Sequence, residues 1–279
     1  MRCYIVIPAH NEEAYLASTL DSLIEQTLLP AKIIVVNDHS TDTTGKIIDS
    51  YSERFEFITG IHIASGADHT PGSKVVDAFY KGYAQLDSNF DIICKFDADL
   101  IFPKEYLEKI VSAFNDDTET GMAGGFCSVE KGSRWVREEL TGKDHIRGAL
   151  KAYRKDCFQQ IGGLKKAMGW DTIDELLAQY HGWKVCTIPE LEVKHLKPTG
   201  AAYAAKSGQL QGKAFKRMRY GFLLTAIAAA KLALKKRKLG YFFDCLNGFL
   251  KDHSEYLVSP EEGRFIRKYR WKKIWKKLF

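Results

Sequence analysis

Apolar residues arrive in short, β-branched runs through the first half of the chain: "RCYIVIPA" (2–9), "KIIVVND" (32–38), "FITGIHIA" (57–64) and "DIICKFDAD" (91–99). These runs are nearly continuous in hydrophobicity, so both faces of each strand are expected to be covered. Between them lie helix-like stretches over about 12–26, 42–54, 73–86 and 104–115. Strands alternating with helices predict an α/β fold, a mostly parallel sheet flanked by helices with right-handed crossovers. The Ser/Thr/Asp cluster in "NDHSTDTT" supplies N-cap residues for the helix that follows.

The second half is less regular. "GMAGGFCSVE" (121–130) and "VCTIPELEVKHL" (185–196) read as further strands. "HIRGALKAYRKDCFQQIGG" (145–163) reads as a helix closed by Gly162 and Gly163, and "DTIDELLAQYHGW" (171–183) as another ending at Gly182. With no repeat or low-complexity linker, one continuous domain is expected over 1–205, a first half to residue 115 and a second over 116–205. Residues 206–279 change character and predict a helical, basic extension. The apolar run "GFLLTAIAAAKLAL" (221–234) is shorter than the roughly 20 residues a bilayer-crossing helix needs.

Charge sharpens that division. The net charge is +6, but from Lys206 onward there are 19 Lys/Arg against 5 Asp/Glu, whereas the first 205 residues carry 22 basic and 30 acidic residues. An acidic body with a basic tail suggests an anionic partner for the tail. At the end, "RKYRWKKIWKKLF" sets Trp271, Ile274, Trp275, Leu278 and Phe279 at helical spacing among Lys272, Lys273, Lys276 and Lys277. That is a basic amphipathic helix suited to a membrane surface, or else one packed on the protein's own body. Nucleic acid fits less well, because the basic residues alternate with bulky aliphatics and no recognised binding motif occurs. Six scattered cysteines without a C-x-x-C pair point to reduced, buried thiols rather than a disulfide or zinc framework, and the absence of a signal-peptide pattern agrees with a cytoplasmic location.

The chemistry concentrates at strand ends. Asp97 and Asp99 stand two apart at the end of a predicted central strand, where open α/β sheets place ligands. Two carboxylates that close call for a positive partner, and Mn2+ or Mg2+ bridging carboxylates and phosphates is the natural one. The first strand ends in "IPAHNEE", and the second ends at Asp38. Asp38 has the chemistry to accept from a base N–H or a ribose hydroxyl, and Glu12 to bind a ribose diol, while both also read as helix caps.

Taken together, "IPAHNEE", "VVNDHSTDTT" and "KFDADLIFP" resemble the family 2 glycosyltransferases of the GT-A, Rossmann-like fold, closely over 1–115 and more loosely to about 240. "GWDTIDELLAQYHGW" and "VKHLKPTG" are similar to a bacterial branch of that family. The resemblance implies an inverting, metal-dependent transfer of a sugar from a nucleotide-sugar, UDP- rather than GDP-linked, to a hydroxyl or lipid-linked glycan acceptor. It implies that Pro8, Ala9, His10 and Asp38 meet the nucleobase, that Glu12 holds the ribose, that Lys74 lies near the nucleotide and that Asp97 touches ribose or metal. Asp99 and His195 would ligate the metal. The family's catalytic base falls at Asp171, with Trp170 in place of the usual glutamate, and Asp174 or Glu175 one turn on as alternatives. Arg147 and Lys151, one turn apart on the expected helix, have the charge to meet an anionic acceptor, and Lys213, Arg217 and Arg219 to clamp a diphosphate. Two other readings stand beside this one. A nucleotidyltransferase would be expected to carry a Gly-rich basic loop after the first strand, which "IPAHNEE" lacks. A non-catalytic scaffold of the same fold would not need an intact Asp97/Asp99 pair. The oligomeric state leaves no trace in the sequence.

Overall fold

The computed structural model describes residues 1–63, 73–138, 142, 144–197 and 207–278, without the side chains of Ser73, Lys277 and Leu278. The first half alternates as its pattern predicts: β1 (Cys3–Ala9), α1 (Leu16–Ile24), β2 (Lys32–Asp38), α2 (Thr44–Arg54), β3 (Ile58–Ile63), α3 (Ser73–Tyr83) and β4 (Ile92–Phe96). β1 is flanked by parallel partners on both sides, with Tyr4 opposite Lys32 on β2 and Cys3 opposite Ile92 on β4. Every residue of β4 is buried, and in β1 only Pro8 is partly exposed, which is why neither strand shows polar alternation. The carboxyl ends of these strands therefore gather on one edge of the sheet.

Beyond β4 the sheet turns mixed. After β5 (Leu100–Ile101) and α4 (Tyr106–Asp116) come β6 (Thr120–Lys131), β7 (Arg134–Arg137), β8 (Leu150–Arg154), α5 (Lys155–Gln160), α6 (Trp170–Tyr180) and β9 (Lys184–His195). The pairing order is β3-β2-β1-β4-β8-β6-β9-β5, with β7 attached to β6, nine strands among the described residues. β5 is last in that order, yet only three residues separate it from β4 in sequence. The sheet therefore curls back, and Asp97-Ala98-Asp99 span the opening from the tip of β4 to the strand at the far end.

One expectation fails here. Residues 145–163 are not one helix: Leu150–Arg154 form β8, antiparallel between β4 and β6, and only Lys155–Gln160 are helical. Lys151 caused the error. It reads as a solvent-facing residue of a helix but is fully buried in the sheet, so the strand's pattern is disguised. The ending was legible, since Gly162 and Gly163 both adopt positive φ, at 69° and 65°.

The extension is helical: α7 (Ser207–Arg217), α8 (Phe222–Lys236), α9 (Gly240–Lys251) and α10 (Pro260–Leu278). α7 and α9 cross at backbone contact, because a Cβ on Gly212 would lie 1.9 Å from the Cys245 carbonyl oxygen and one on Gly248 2.1 Å from that of Gln209. One hydrophobic core runs from the sheet into this region through Phe215, Leu224, Cys245 and Ile266. α10 turns back onto the body, packing Trp271 and Ile274 half-buried against that core, while Trp275 is 57% exposed. The side chains of Leu278 and Phe279 lie outside the described residues. No described helix is long and apolar enough to cross a membrane. The six cysteines are free thiols, five of them buried.

Candidate active site

At the tips of β1 and β2 the two loops brace each other. The Nδ1–H of His10 donates to the Asp38 carbonyl at 2.6 Å, and the Glu12 backbone N–H donates to the Thr44 hydroxyl at 2.8 Å. The Asn11 side-chain oxygen accepts from the Thr41 N–H at 2.8 Å. Asn11 and His39 both take left-handed backbone, with φ of 53° and 55°, a conformation asparagine and histidine accept more readily than most residues. Pro8 is half-buried and Ala9 buried, whereas the His10 ring is exposed despite its hydrogen bond. Asp38 is buried with one carboxylate oxygen, Oδ1, lacking any hydrogen-bond partner among the described residues. Glu12 is similar: Oε1 accepts from Lys197 at 2.8 Å, while Oε2 is buried and has no partner among the described residues. Burial pushes the Glu12 carboxyl up; the Lys197 ammonium opposes that, and the negative charges of Asp99 and Asp97 add to it. A buried acceptor left unmade costs roughly 1–3 kcal/mol, so two on one edge call for a donor beyond the described residues.

The question of what offsets Asp97 and Asp99 has a local answer. Asp97 pairs with Lys95, a lysine 2% exposed within β4 that also donates to the Gly148 carbonyl at 3.1 Å. Asp99 faces His195, Oδ2 to Nε2, at 3.2 Å. Register makes that second pair: β5 runs antiparallel to β9 with Leu100 opposite His195, and the Leu196 N–H donates to the Asp99 carbonyl at 2.9 Å. Burial disfavours the charged imidazolium, but the Asp99 carboxylate outweighs it and holds the His195 pKa above its ordinary value. Thr19 on α1 clamps the three-residue link, donating to the Ala98 carbonyl at 2.8 Å and accepting from the Leu100 N–H at 3.0 Å. Donor atoms of Cys127, Glu138 and His195 also lie within 4.8 Å of one another, and Glu138 is paired with Arg147. Burial pushes the Cys127 thiol up to about 12.

The third group sits on α6, which opens after Gly169 at φ 81°. Asp171, in its first turn, is one-third exposed, and His145 Nε2 lies 3.8 Å from its Oδ2. The other ring nitrogen of His145 donates to Glu175 at 2.9 Å. Asp174 is sealed: it is 1% exposed and accepts from Lys151 at 2.8 Å and from the Tyr153 hydroxyl at 2.5 Å. Burial pushes its carboxyl up to about 6 against the pull of Lys151. Glu175, held by Lys151, His145 and the Ile146 N–H, stays below its ordinary value although burial opposes this. The structure thus separates the two predicted catalytic aspartates, Asp171 facing solvent and Asp174 closed in.

Some sequence expectations need correction. Lys151 and Arg147 do not share a helix face, because Lys151 is buried in β8 against Asp174 and Arg147 binds Glu138. Arg217 and Arg219 donate to the carbonyls of Glu255 and Val258, tying down the segment between α9 and α10 rather than forming a free clamp. Trp170 is a core residue with the ammonium groups of Lys95 and Lys151 over its ring. Lys74 is half-buried in the first turn of α3. The residues missed were Thr19, Lys95, Glu138 and Lys197, while Lys151 was named for an acceptor-facing role that its burial against Asp174 rules out. Of these only Lys95 left a signal, a lone cation inside the apolar run that precedes Asp97.

A curled, mostly parallel sheet with an acid pair at the end of its central strand defines a GT-A glycosyltransferase fold. The solved structures it resembles agree. The mannosyltransferase PcManGT from Pyrobaculum calidifontis in complex with GDP-Man and Mn2+ matches with a TM-score of 0.62 and 15% identity, over 91% of this chain and 88% of that one. The Staphylococcus aureus TarS fragment 1–349 in complex with UDP-GlcNAc matches with a TM-score of 0.58 and 17% identity, over 90% of this chain and 72% of that one. The family model described as glycosyl transferase family 2 matches residues 4–163, and the chain belongs to that family. Among curated relatives, the probable glycosyltransferase YdaM of Bacillus subtilis (strain 168) is 30% identical over 193 residues, 60% of this chain and 44% of the relative. The 4,4'-diaponeurosporenoate glycosyltransferase of Staphylococcus aureus (strain USA300) is 32% identical over 121 residues, 42% of this chain and 29% of the relative. The chain spans less than half the length of these curated relatives.

Proposed function

We propose that this protein is an inverting, metal-dependent glycosyltransferase that moves a sugar from a nucleotide-sugar, a UDP-sugar by family habit, to an acceptor hydroxyl in cell-surface glycan or glycolipid synthesis. The observation that carries this is the pair of buried carboxylate oxygens on Asp38 and Glu12 that lack a partner among the described residues, beside the Asp99–His195 pair at the same sheet edge. Asp38 Oδ1 accepts from the nucleobase, against which Pro8, Ala9 and His10 form the wall, and Glu12 Oε2 accepts from a ribose hydroxyl. Asp97 and Lys74 contact the donor nearby. Asp99 and His195, an oxygen and a nitrogen donor already 3.2 Å apart, fit Mn2+ or Mg2+, the imidazole favouring Mn2+. Such an ion, when bound, stabilises the negative charge that builds on the leaving diphosphate.

Asp171 is the base. It takes the proton of the acceptor hydroxyl as that oxygen bonds to the anomeric carbon, while the bond from that carbon to the diphosphate oxygen breaks on the opposite face. One displacement inverts the centre. His145, anchored by Glu175, holds Asp171 in place, and Asp174 with Lys151 and Tyr153 fixes α6 from beneath. On this reading residues 1–205 carry the transfer, with donor binding in 1–115 and acceptor binding in 116–205. In a binding titration with UDP and Mn2+, Asp38→Ala and Glu12→Gln are each expected to weaken affinity by about tenfold through one lost buried hydrogen bond. Native affinity in both variants would remove the pocket.

Residues 206–279 bring the protein to the cytoplasmic face of a membrane. The support is exposed apolar surface: Leu234 is 73% exposed, Leu239 77% and Phe243 69%, beside Lys235, Lys236, Arg237 and Lys238. The contact surface is therefore assigned to α8 and α9 rather than to α10, whose Trp271 and Ile274 pack inward. Leu239→Glu with Phe243→Glu is expected to reduce pelleting with anionic vesicles by about tenfold; undiminished pelleting would count against lipid contact there.

A further inference from the structure

A second polar cleft, of about 260 Å³, opens between α6, α8 and α10. Its two carboxylates are already satisfied. Glu175 accepts from His145, Lys151 and the Ile146 N–H, and Asp144 is paired with Lys273. Its other two cations are not: neither Lys231 on α8 nor Arg270 on α10 enters an ion pair among the described residues. Arg270 lies against Tyr220, its guanidinium 5.7 Å from the ring centroid and hydrogen-bonded to the Tyr220 hydroxyl, but its Nε–H is buried without an acceptor among the described residues. Across the cleft, Gln179 Oε1 is buried without a donor.

We propose that this cleft binds the phosphate group of a phosphate-bearing acceptor, with Arg270 and Lys231 as its anchors. The proposal rests on the glycosyltransferase reading and names the acceptor's chemistry. Three features favour phosphate. A guanidinium presents forked donors that match phosphate oxygens, a second cation suits a dianion, and the unmet Arg270 Nε–H needs a strong acceptor. Gln179 Oε1 takes a hydroxyl from the carrier of the phosphate. Position ties the cleft to the reaction. Thr172 and His145 line it, and His145 stands 3.8 Å from Asp171, so an anion held here lies on the side of α6 where the acceptor hydroxyl has to reach the base. The donor candidates Asp38 and Glu12 belong instead to the tips of β1 and β2. Part of the extension's positive charge thus serves recognition.

The test uses the full chain in EDTA, so that no divalent ion draws phosphate toward Asp99. Glycerol phosphate and the dispersed short-chain lipid dihexanoyl phosphatidic acid are titrated in turn. At least one is expected to bind, about tenfold more weakly to Lys231→Glu and to Arg270→Gln, and with near-native affinity to Lys231→Arg. Binding of UDP with Mn2+ should be the same in all variants. Because Arg270 is packed on Tyr220, exposed Lys231 carries the result should Arg270→Gln unfold. Preference for the lipid identifies a headgroup, and equal binding identifies a soluble phosphate; both support the cleft. Failure of both probes to bind, or native affinity in Lys231→Glu, overturns it. Either failure with UDP–Mn2+ binding intact leaves the donor reading standing, whereas loss of UDP–Mn2+ binding in the native protein removes the reading beneath it.

Discussion

Asp99→Ala is expected to lower nucleotide-sugar hydrolysis and transfer by about a thousandfold, because on the proposed reading it removes a carboxylate that would hold the ion countering the leaving diphosphate's charge. Chelation of the native protein should produce the same loss, and added Mn2+ should restore the native protein but not the variant. The geometry makes Asp99 the sensitive partner. It is buried, 3.2 Å from His195, and held by the short β5–β9 pairing. Asp97 is one-third exposed and already committed to Lys95, so its substitution is expected to have the smaller effect. Comparison of thermal unfolding for variant and native protein separates lost chemistry from lost fold. Equal turnover by native protein and Asp99→Ala would defeat the metal assignment.

Asp171→Asn is expected to reduce sugar transfer by about a thousandfold while leaving UDP–Mn2+ affinity unchanged, since a general base contributes on the order of 10²–10⁴ to rate and nothing to donor binding. Asp174→Asn should behave differently. It sits in a buried cluster with Lys151, Tyr153 and Glu175, and weakening one member of such a set costs stability, on the order of 3–5 kcal/mol for outright loss of a partner. The expected signature is a lower unfolding midpoint in urea, with whatever protein remains folded still competent in transfer. If Asp174→Asn abolished transfer at native stability and Asp171→Asn did not, the assignments would be exchanged.

The alternating half of the fold was legible because β1, β2 and β4 are covered on both faces and helix spacing is visible between them. The strand-tip acids were legible too, since Asp38 and Asp99 each follow an apolar run. β8 was not, because Lys151 is a buried cation whose partners come from α6, some 20 residues later in the chain. For the same reason the sequence put Asp171 ahead of Asp174 only by its place in the family's motif and left Asp174 open as an alternative. Helical spacing places them one turn apart, but which one faces solvent depends on what packs beneath the helix.

The sequence by itself determined the strand–helix alternation, the family and the identity of the acids at the strand ends, because backbone propensity and continuous hydrophobicity are local properties written residue by residue. Only the tertiary structure decided which charges meet: Lys95 with Asp97, His195 with Asp99, Lys151 with Asp174, and α10 folded onto the body. The pairings of His195 with Asp99 and of Lys151 with Asp174 are set by the curl of the sheet and by strand register, which bring together residues tens of positions apart, and no local pattern encodes them; Lys95 and Asp97 are sequence neighbours, but only the covering of β4 on both faces buries the lysine beside its partner.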